Sequence, residues 1–268
     1  MAENEQHPSV VILTALSVEY EAARAHLTGI RKLTHPLGTR FDLGRLPGTP
    51  WFVALGQIGE GNGAGAVITE RANSWLAPEA LLFVGVAGGL KDDIALGDVV
   101  VATRVYAYHG GKITDAGFHA RPRVWEASHR LEQAARHARF GLELSGRVHF
   151  KPVAAGEVVL NSRSSALSEQ LMHHFNDAVA IEMESAGVAQ AAHLTGVLQT
   201  LTVRGISDRA DGHKHVAESS GSQQRAAANA AAVAMGVLSE LEPSAERTTP
   251  PPAQASEGLT WTSGFTFK

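Results

Sequence analysis

The chain has 268 residues and a mass of 28.3 kDa, with 44% hydrophobic residues, 27 glycines and 11 prolines, enough apolar material for one large α/β domain or two small ones. Lysine and arginine number 23 against 27 aspartates and glutamates, a formal net charge of −4, so the whole chain carries no electrostatic footprint for nucleic acid. With no cysteine, disulfide scaffolds, Cys-ligated zinc, iron–sulfur clusters and thiol nucleophiles are excluded. Met1–Ser9 is polar and acidic, and no apolar run approaches the roughly 20 residues that span a bilayer; the expectation is a cytoplasmic protein without a membrane partner.

In chain order, Val10–Leu13 reads as a short buried strand, and Val18–Leu27 has helical spacing. Phe41–Leu46 and Trp51–Leu55 flank Pro47-Gly48-Thr49-Pro50 and read as a hairpin. Gly59–Gly65 opens a helix to about Trp75, and Leu81–Val86 is an apolar strand ending in Ala87-Gly88-Gly89. Asp98–Tyr108 reads as a long strand, Trp125–Phe140 as a helix, Val148–Ala155 as a strand and Arg163–Phe175 as a helix. Ala178–Ile181 is a strand feeding a helix through His193, Thr200–Gly205 is another strand, and Ser222–Leu241 is an alanine-rich closing helix. This alternation argues for a largely parallel sheet covered on both faces. From Pro243 to Glu257 the chain turns to Pro, Ser, Thr, Ala and Gln, which cannot build a core. Trp261, Phe265 and Phe267 in Gly258–Lys268 read either as an unstructured end or as a segment that docks on a partner.

Several weak motifs point nowhere specific. Gly59, Gly61, Gly63 and Gly65 match G-x-G-x-x-G imperfectly and no Gly-Lys-Ser/Thr follows, so a tight turn at a helix N-terminus near an anion is the better reading. His213-Lys214-His215 lacks a third ligand at useful spacing, and there is no G-x-S-x-G elbow. Neither metal nor cofactor is expected.

Carboxylates stand at the ends of three apolar strands, where open α/β sheets place their ligands: Glu19, Glu182 with Glu184, and Asp208. Each alone is as compatible with a structural pair as with a site; three at one sheet edge favour a site. The runs Ala15-Leu16-Ser17-Val18-Glu19, Gly85-Val86-Ala87-Gly88-Gly89, Gly97-Asp98-Val99-Val100, Ala180-Ile181-Glu182-Met183-Glu184-Ser185-Ala186 and Arg204-Gly205-Ile206-Ser207-Asp208 resemble, in order and spacing, the nucleoside phosphorylase and nucleosidase superfamily, specifically its methylthioadenosine/S-adenosylhomocysteine nucleosidase branch.

That resemblance implies a three-layer α/β/α fold with a central mixed, largely parallel sheet over residues 10–241, followed by a tail over 243–268, and a homodimer. It implies hydrolysis of a purine N-glycosidic bond: Asp208 protonates N7, Glu184 holds the ribose hydroxyls and Glu19 deprotonates water. Ala87, Gly88, Glu182 and Met183 would line the substrate, and Ser207 would orient Asp208. Two positions depart from the pattern. Val86 replaces a hydroxyl residue, and Val159 stands where an aromatic stacks on adenine. Where relatives build an apolar 5′ subsite, this chain has His109, Lys112, Arg121 and Arg123, which are either solvated loop charges or contacts to a 5′-phosphate or triphosphate. An ATP or AMP N-glycosidase, a purine nucleoside phosphorylase and a nucleotide-sensing module are the alternatives.

Overall fold

The computed structural model describes residues 9–115, 117–196 and 198–244. The aromatic segment of the tail lies outside the described residues.

The strands β1 (Val10–Thr14), β2 (Thr28–Thr34), β3 (Arg40–Arg45) and β4 (Phe52–Gln57) are interrupted after β1 by helix α1 (Ser17–Arg24). Helix α2 (Asn62–Leu76) leads to β5 (Ala80–Gly89), then β6 (Val99–Ala107) and three short strands, β7 (Gly111–Thr114), β8 (Gly117–Ala120) and β9 (Arg123–Glu126). Helix α3 (His129–Ala138), β10 (Val148–Ala155), α4 (Ala166–His174), β11 (Ala180–Glu182), α5 (Ser185–Thr195), β12 (Gln199–Asp208), α6 (Lys214–Ser219) and α7 (Ser222–Ser239) complete the chain. The sheet order is β11-β10-β6-β12-β5-β1-β4-β3-β2, with β9 beside β6 and β7–β8 forming a separate hairpin.

The apolar strands are continuous because both faces are covered. In β1, Val10 and Ile12 join a core that includes Ala23 of α1 and Leu238 of α7, while Val11 and Leu13 face Leu76 of α2 and Ala192 of α5. The result is three layers, with α1, α3 and α7 on one side and α2 and α5 on the other. Pairings of β1 with β4 and β5, of β5 with β12, and of β10 with β6 and β11 are parallel; β12–β6, β6–β9 and the β2–β3–β4 meander are antiparallel. The expected mixed, largely parallel α/β fold is what forms.

At its far end β5 also pairs antiparallel with β11, Ala180 opposite Gly89 and Ile181 opposite Gly88, so the sheet curls back on itself there. That closure brings the ends of β5, β11 and β12 together.

The hairpin expected at Pro47–Pro50 joins β3 to β4. The helix expected from Trp125 begins later, at His129, because Trp125 and Glu126 pair with Val105 and Arg104 as part of β9. Strands β2, β7, β8 and β9 were not anticipated. Their residues are mostly exposed and polar, so no apolar alternation marks them; only hydrogen bonding to neighbours makes them strands.

Candidate active site

Glu19 sits in the first turn of α1 and is 2% exposed. Its Oε2 accepts from the N–H groups of Ala15 and Leu16 (both 2.8 Å) and its Oε1 from Val86 N–H (2.7 Å). The carboxylate thus caps its own helix and bridges to β5, satisfying donors a helix start leaves unpaired. Burial pushes its pKa up, against the lowering effects of Arg204 and these three donors.

Glu182 ends β11 and Glu184 is the N-cap of α5. Glu182 accepts from Glu184 N–H (3.2 Å) and Ser185 N–H (3.0 Å), placing negative charge at the helix N-terminus, and it also takes a hydrogen bond from Arg204 Nη2. Glu184 Oε1 accepts from Gly61 N–H at 3.1 Å. The anion at the glycine-rich turn is therefore a side chain of this chain. Gly61 has φ +97°, a conformation that disfavours any side chain and lets its N–H point at Glu184. Burial first, and the neighbouring Glu182 charge second, push the Glu184 pKa up to about 7.

Asp208 owes its aim to a bulge. In β12, Ile206 lies opposite Ala87 and Asp208 opposite Gly88, so Ser207 is an extra residue. Ser207 Oγ donates to Asp208 Oδ2 (2.9 Å), and Asp208 Oδ1 accepts from Ala210 N–H (2.9 Å). Asp208 is 6% exposed. A Cβ on Gly88 would stand 3.0 Å from Asp208 Oδ1, so the glycine permits the close approach.

One cleft of about 100 Å³ joins these groups: Glu19, Ala87, Gly88, Val159, Glu182, Met183, Glu184, Ser207 and Asp208 all line it, with Glu60 at its edge. Every expected residue of the catalytic and sugar–base set is therefore brought to one place. Among the described residues, no lysine or arginine lines it.

Sequence reasoning passed over Arg204, although a charged residue inside the apolar run of β12 was the available signal. Its side chain is fully buried. The guanidinium pairs with Glu182, lies 3.8 Å from Glu184 Oε2, and stacks 4.0 Å over the Phe83 ring. Among the described residues its Nε and Nη1 have no hydrogen-bond partner. Nη1 reaches the space beside Gly85 that Glu19 Oε1 also borders. Asn62 was likewise missed: its amide bridges Gly156 O (2.7 Å), Glu157 Oε1 (2.8 Å) and Gly187 N–H (2.9 Å), tying α2 to the segment after β10 and to α5.

The proposed 5′ contacts separate. His109, Arg121 and Arg123 line a second, broader cavity of about 1190 Å³ between α2 and α5, beyond Gly156 and Glu157. His109 Nδ1 accepts from Glu157 N–H at 3.2 Å. Lys112 lies exposed on β7 and does not border either cavity.

The sequence profile described as the phosphorylase superfamily matches residues 9–239. An ATP nucleosidase of Escherichia coli is 31% identical over 241 aligned residues, covering 77% of this chain; the chain spans 47% of that relative's length. A 5′-methylthioadenosine/S-adenosylhomocysteine nucleosidase of Desulfotalea psychrophila is 27% identical, covering 71% of this chain and 81% of the relative. The Streptococcus pneumoniae MTA/SAH nucleosidase in complex with 8-aminoadenine superposes with a TM-score of 0.74 at 25% identity, covering 87% of this chain and all of that one. With a profile that extends from the first strand through the closing helix, this chain belongs to the phosphorylase superfamily.

Proposed function

We propose that this protein hydrolyses the N-glycosidic bond of an adenine nucleoside or nucleotide. The observation that carries the reading is a cleft lined by Glu19, Glu182, Glu184 and Asp208 with no cation on its wall among the described residues. A phosphate anion entering it would meet like charge, whereas a neutral water and a ribosyl cation are stabilised there. This favours hydrolysis over phosphorolysis.

In the proposed step the C1′–N9 bond breaks as a water oxygen bonds to C1′. Glu19, its basicity raised by burial, takes the water proton. Glu184 holds the ribose hydroxyls. Asp208 delivers its proton to N7, so the base leaves neutral. Free adenine and the free sugar result. General acid–base help of this kind is worth about 10²–10⁴-fold for each group, which sets the expected loss for Asp208→Asn and for Glu19→Gln. Three placed proton and hydroxyl partners exceed what a purely sensing module requires.

The test is chromatographic: adenine release from methylthioadenosine, S-adenosylhomocysteine, AMP and ATP, with and without phosphate. Release that requires added phosphate and yields ribose 1-phosphate would overturn the hydrolytic reading, and near-normal rates in both variants would overturn the site.

A second reading of the 5′ group, that it carries phosphates, is supported by Arg121 and Arg123. Both border the broad cavity next to the cleft, and neither guanidinium has an ion-pair partner among the described residues. The double alanine variant should then raise KM for ATP while sparing methylthioadenosine. A homodimer through the α2–α5 face, where Leu37, Val67 and Leu194 are exposed, is proposed with it; light scattering in solution reads the mass.

A further inference from the structure

Asp208 is held on one side by a single peptide unit, and that unit is held at both ends. Its N–H, from Ala210, donates to Asp208 Oδ1 at 2.9 Å. Its C=O, from Arg209, accepts from Arg163 Nε at 3.1 Å. The second arm of the same guanidinium, Nη1, pairs with Asp92 in the loop that follows β5. Arg163 therefore grips the peptide whose opposite end touches the carboxyl.

The local backbone shows why a grip is needed. Ala210 has φ +51°, in the left-handed region where a side chain crowds the following carbonyl. An alanine there relaxes unless its peptide is fixed, and rotating the 209–210 peptide would turn the N–H away from Asp208. Ala210 itself is 1% exposed and packs with Tyr108, Leu160 and Ile181, so its side chain resists that rotation too. Arg163 is well placed to act. It stands two residues before Ser165, which caps α4 by accepting from Ser168 N–H (3.2 Å) while donating to Ser162 O (2.9 Å). The arginine thus projects from a fixed turn, and it spans three separate segments: the α4 start, the loop after β5 and the turn after β12.

We infer that Arg163 is a positioning residue for the general acid: through the Arg209–Ala210 peptide it sets the orientation of Asp208 toward the purine N7. This rests on the reading of Asp208 as the acid, and the experiment below separates the two. A charge-assisted hydrogen bond to the carbonyl end polarises the peptide and strengthens its N–H as a donor at the other end. The effect acts on the proton-transfer step and leaves the sugar contacts of Glu184 alone.

The test uses the full-length chain with Arg163→Ala and Arg163→Lys, measuring kcat and KM for adenine release and, separately, equilibrium binding of adenine and of 7-deazaadenine, which lacks N7. Expected for Arg163→Ala is a fall in kcat of about tenfold with KM within threefold of wild type. Adenine binding should weaken several-fold while 7-deazaadenine binding stays unchanged. Lysine, which can still donate to the carbonyl, should recover part of the loss. Equal weakening of both bases, or kcat and adenine binding both at wild-type values, would overturn the inference while leaving Asp208 as the acid. A wild-type chain that releases no adenine from any of the nucleosides or nucleotides would overturn the functional reading and this inference together.

Discussion

Replacing Arg204 by methionine keeps an unbranched apolar side chain in the core and removes the buried guanidinium that stacks on Phe83 and faces Glu19, Glu182 and Glu184. Removing one partner of a buried pair costs about 3–5 kcal/mol, because the remaining charge is left uncompensated. For a domain of this size each kcal/mol moves Tm by about 2–4 °C, so the fall at pH 8 should be roughly 6–20 °C. The pH dependence has a definite sign. Glu19 and Glu184 already bind their protons more tightly in the folded state than the usual carboxylate does, and Arg204 restrains both shifts. Without it the folded pKa values rise further. A raised folded pKa means stability is retained at acid pH and lost as pH rises through that value. The variant's deficit should therefore be largest at pH 8 and shrink toward pH 5. Scanning calorimetry at the two pH values measures it. A fall of less than about 2 °C at pH 8, or an equal fall at both, would refute the view that Arg204 is the buried counterion that restrains the Glu19 and Glu184 shifts.

Glu184→Gln should stabilise the fold at pH 8 by about 1–3 kcal/mol, since the amide oxygen can still accept from Gly61 N–H and the cost of ionising a buried carboxyl disappears. The gain should shrink between pH 7 and pH 5, where wild-type Glu184 is increasingly protonated, and turnover should be lost throughout; denaturant titrations across that range check it. Gly85→Ala should abolish adenine release and lower stability by several kcal/mol, because the new Cβ would collide with Arg204 Nη1 and Glu19 Oε1, both held by other bonds. Wild-type activity in that variant would show that the two side chains are free to move.

The amino-acid sequence by itself decided the layers and the acids. Uninterrupted apolar runs such as Val10–Leu13 and Leu81–Val86 have to be covered on both faces, and β1 does send alternate residues into the two helical layers. Carboxylates at the ends of such runs have to be paired or used, so Glu19, Glu182 with Glu184, and Asp208 were legible as a set from the chain alone, whereas the separate roles came only from the family resemblance. Local periodicity holds no information on pairing between distant segments, which is why the exposed β2 and β7–β9 escaped notice and why Trp125 was assigned to a helix rather than to β9.

What only the tertiary structure decided is how the acids are tuned. Curling of β5 onto β11 and the bulge at Ser207 bring the strand ends to one cleft. Arg204 becomes a counterion only because Gly85 leaves room for it beside Glu19. Gly61 belongs to a loop more than a hundred residues from Glu184, yet supplies its hydrogen bond. Likewise Arg163 reaches the turn after Asp208 from the start of another helix. Burial, donors and neighbouring charge together leave the pKa of Glu19 and of Glu184 raised, and all three are properties of packing between segments that no stretch of sequence contains alone.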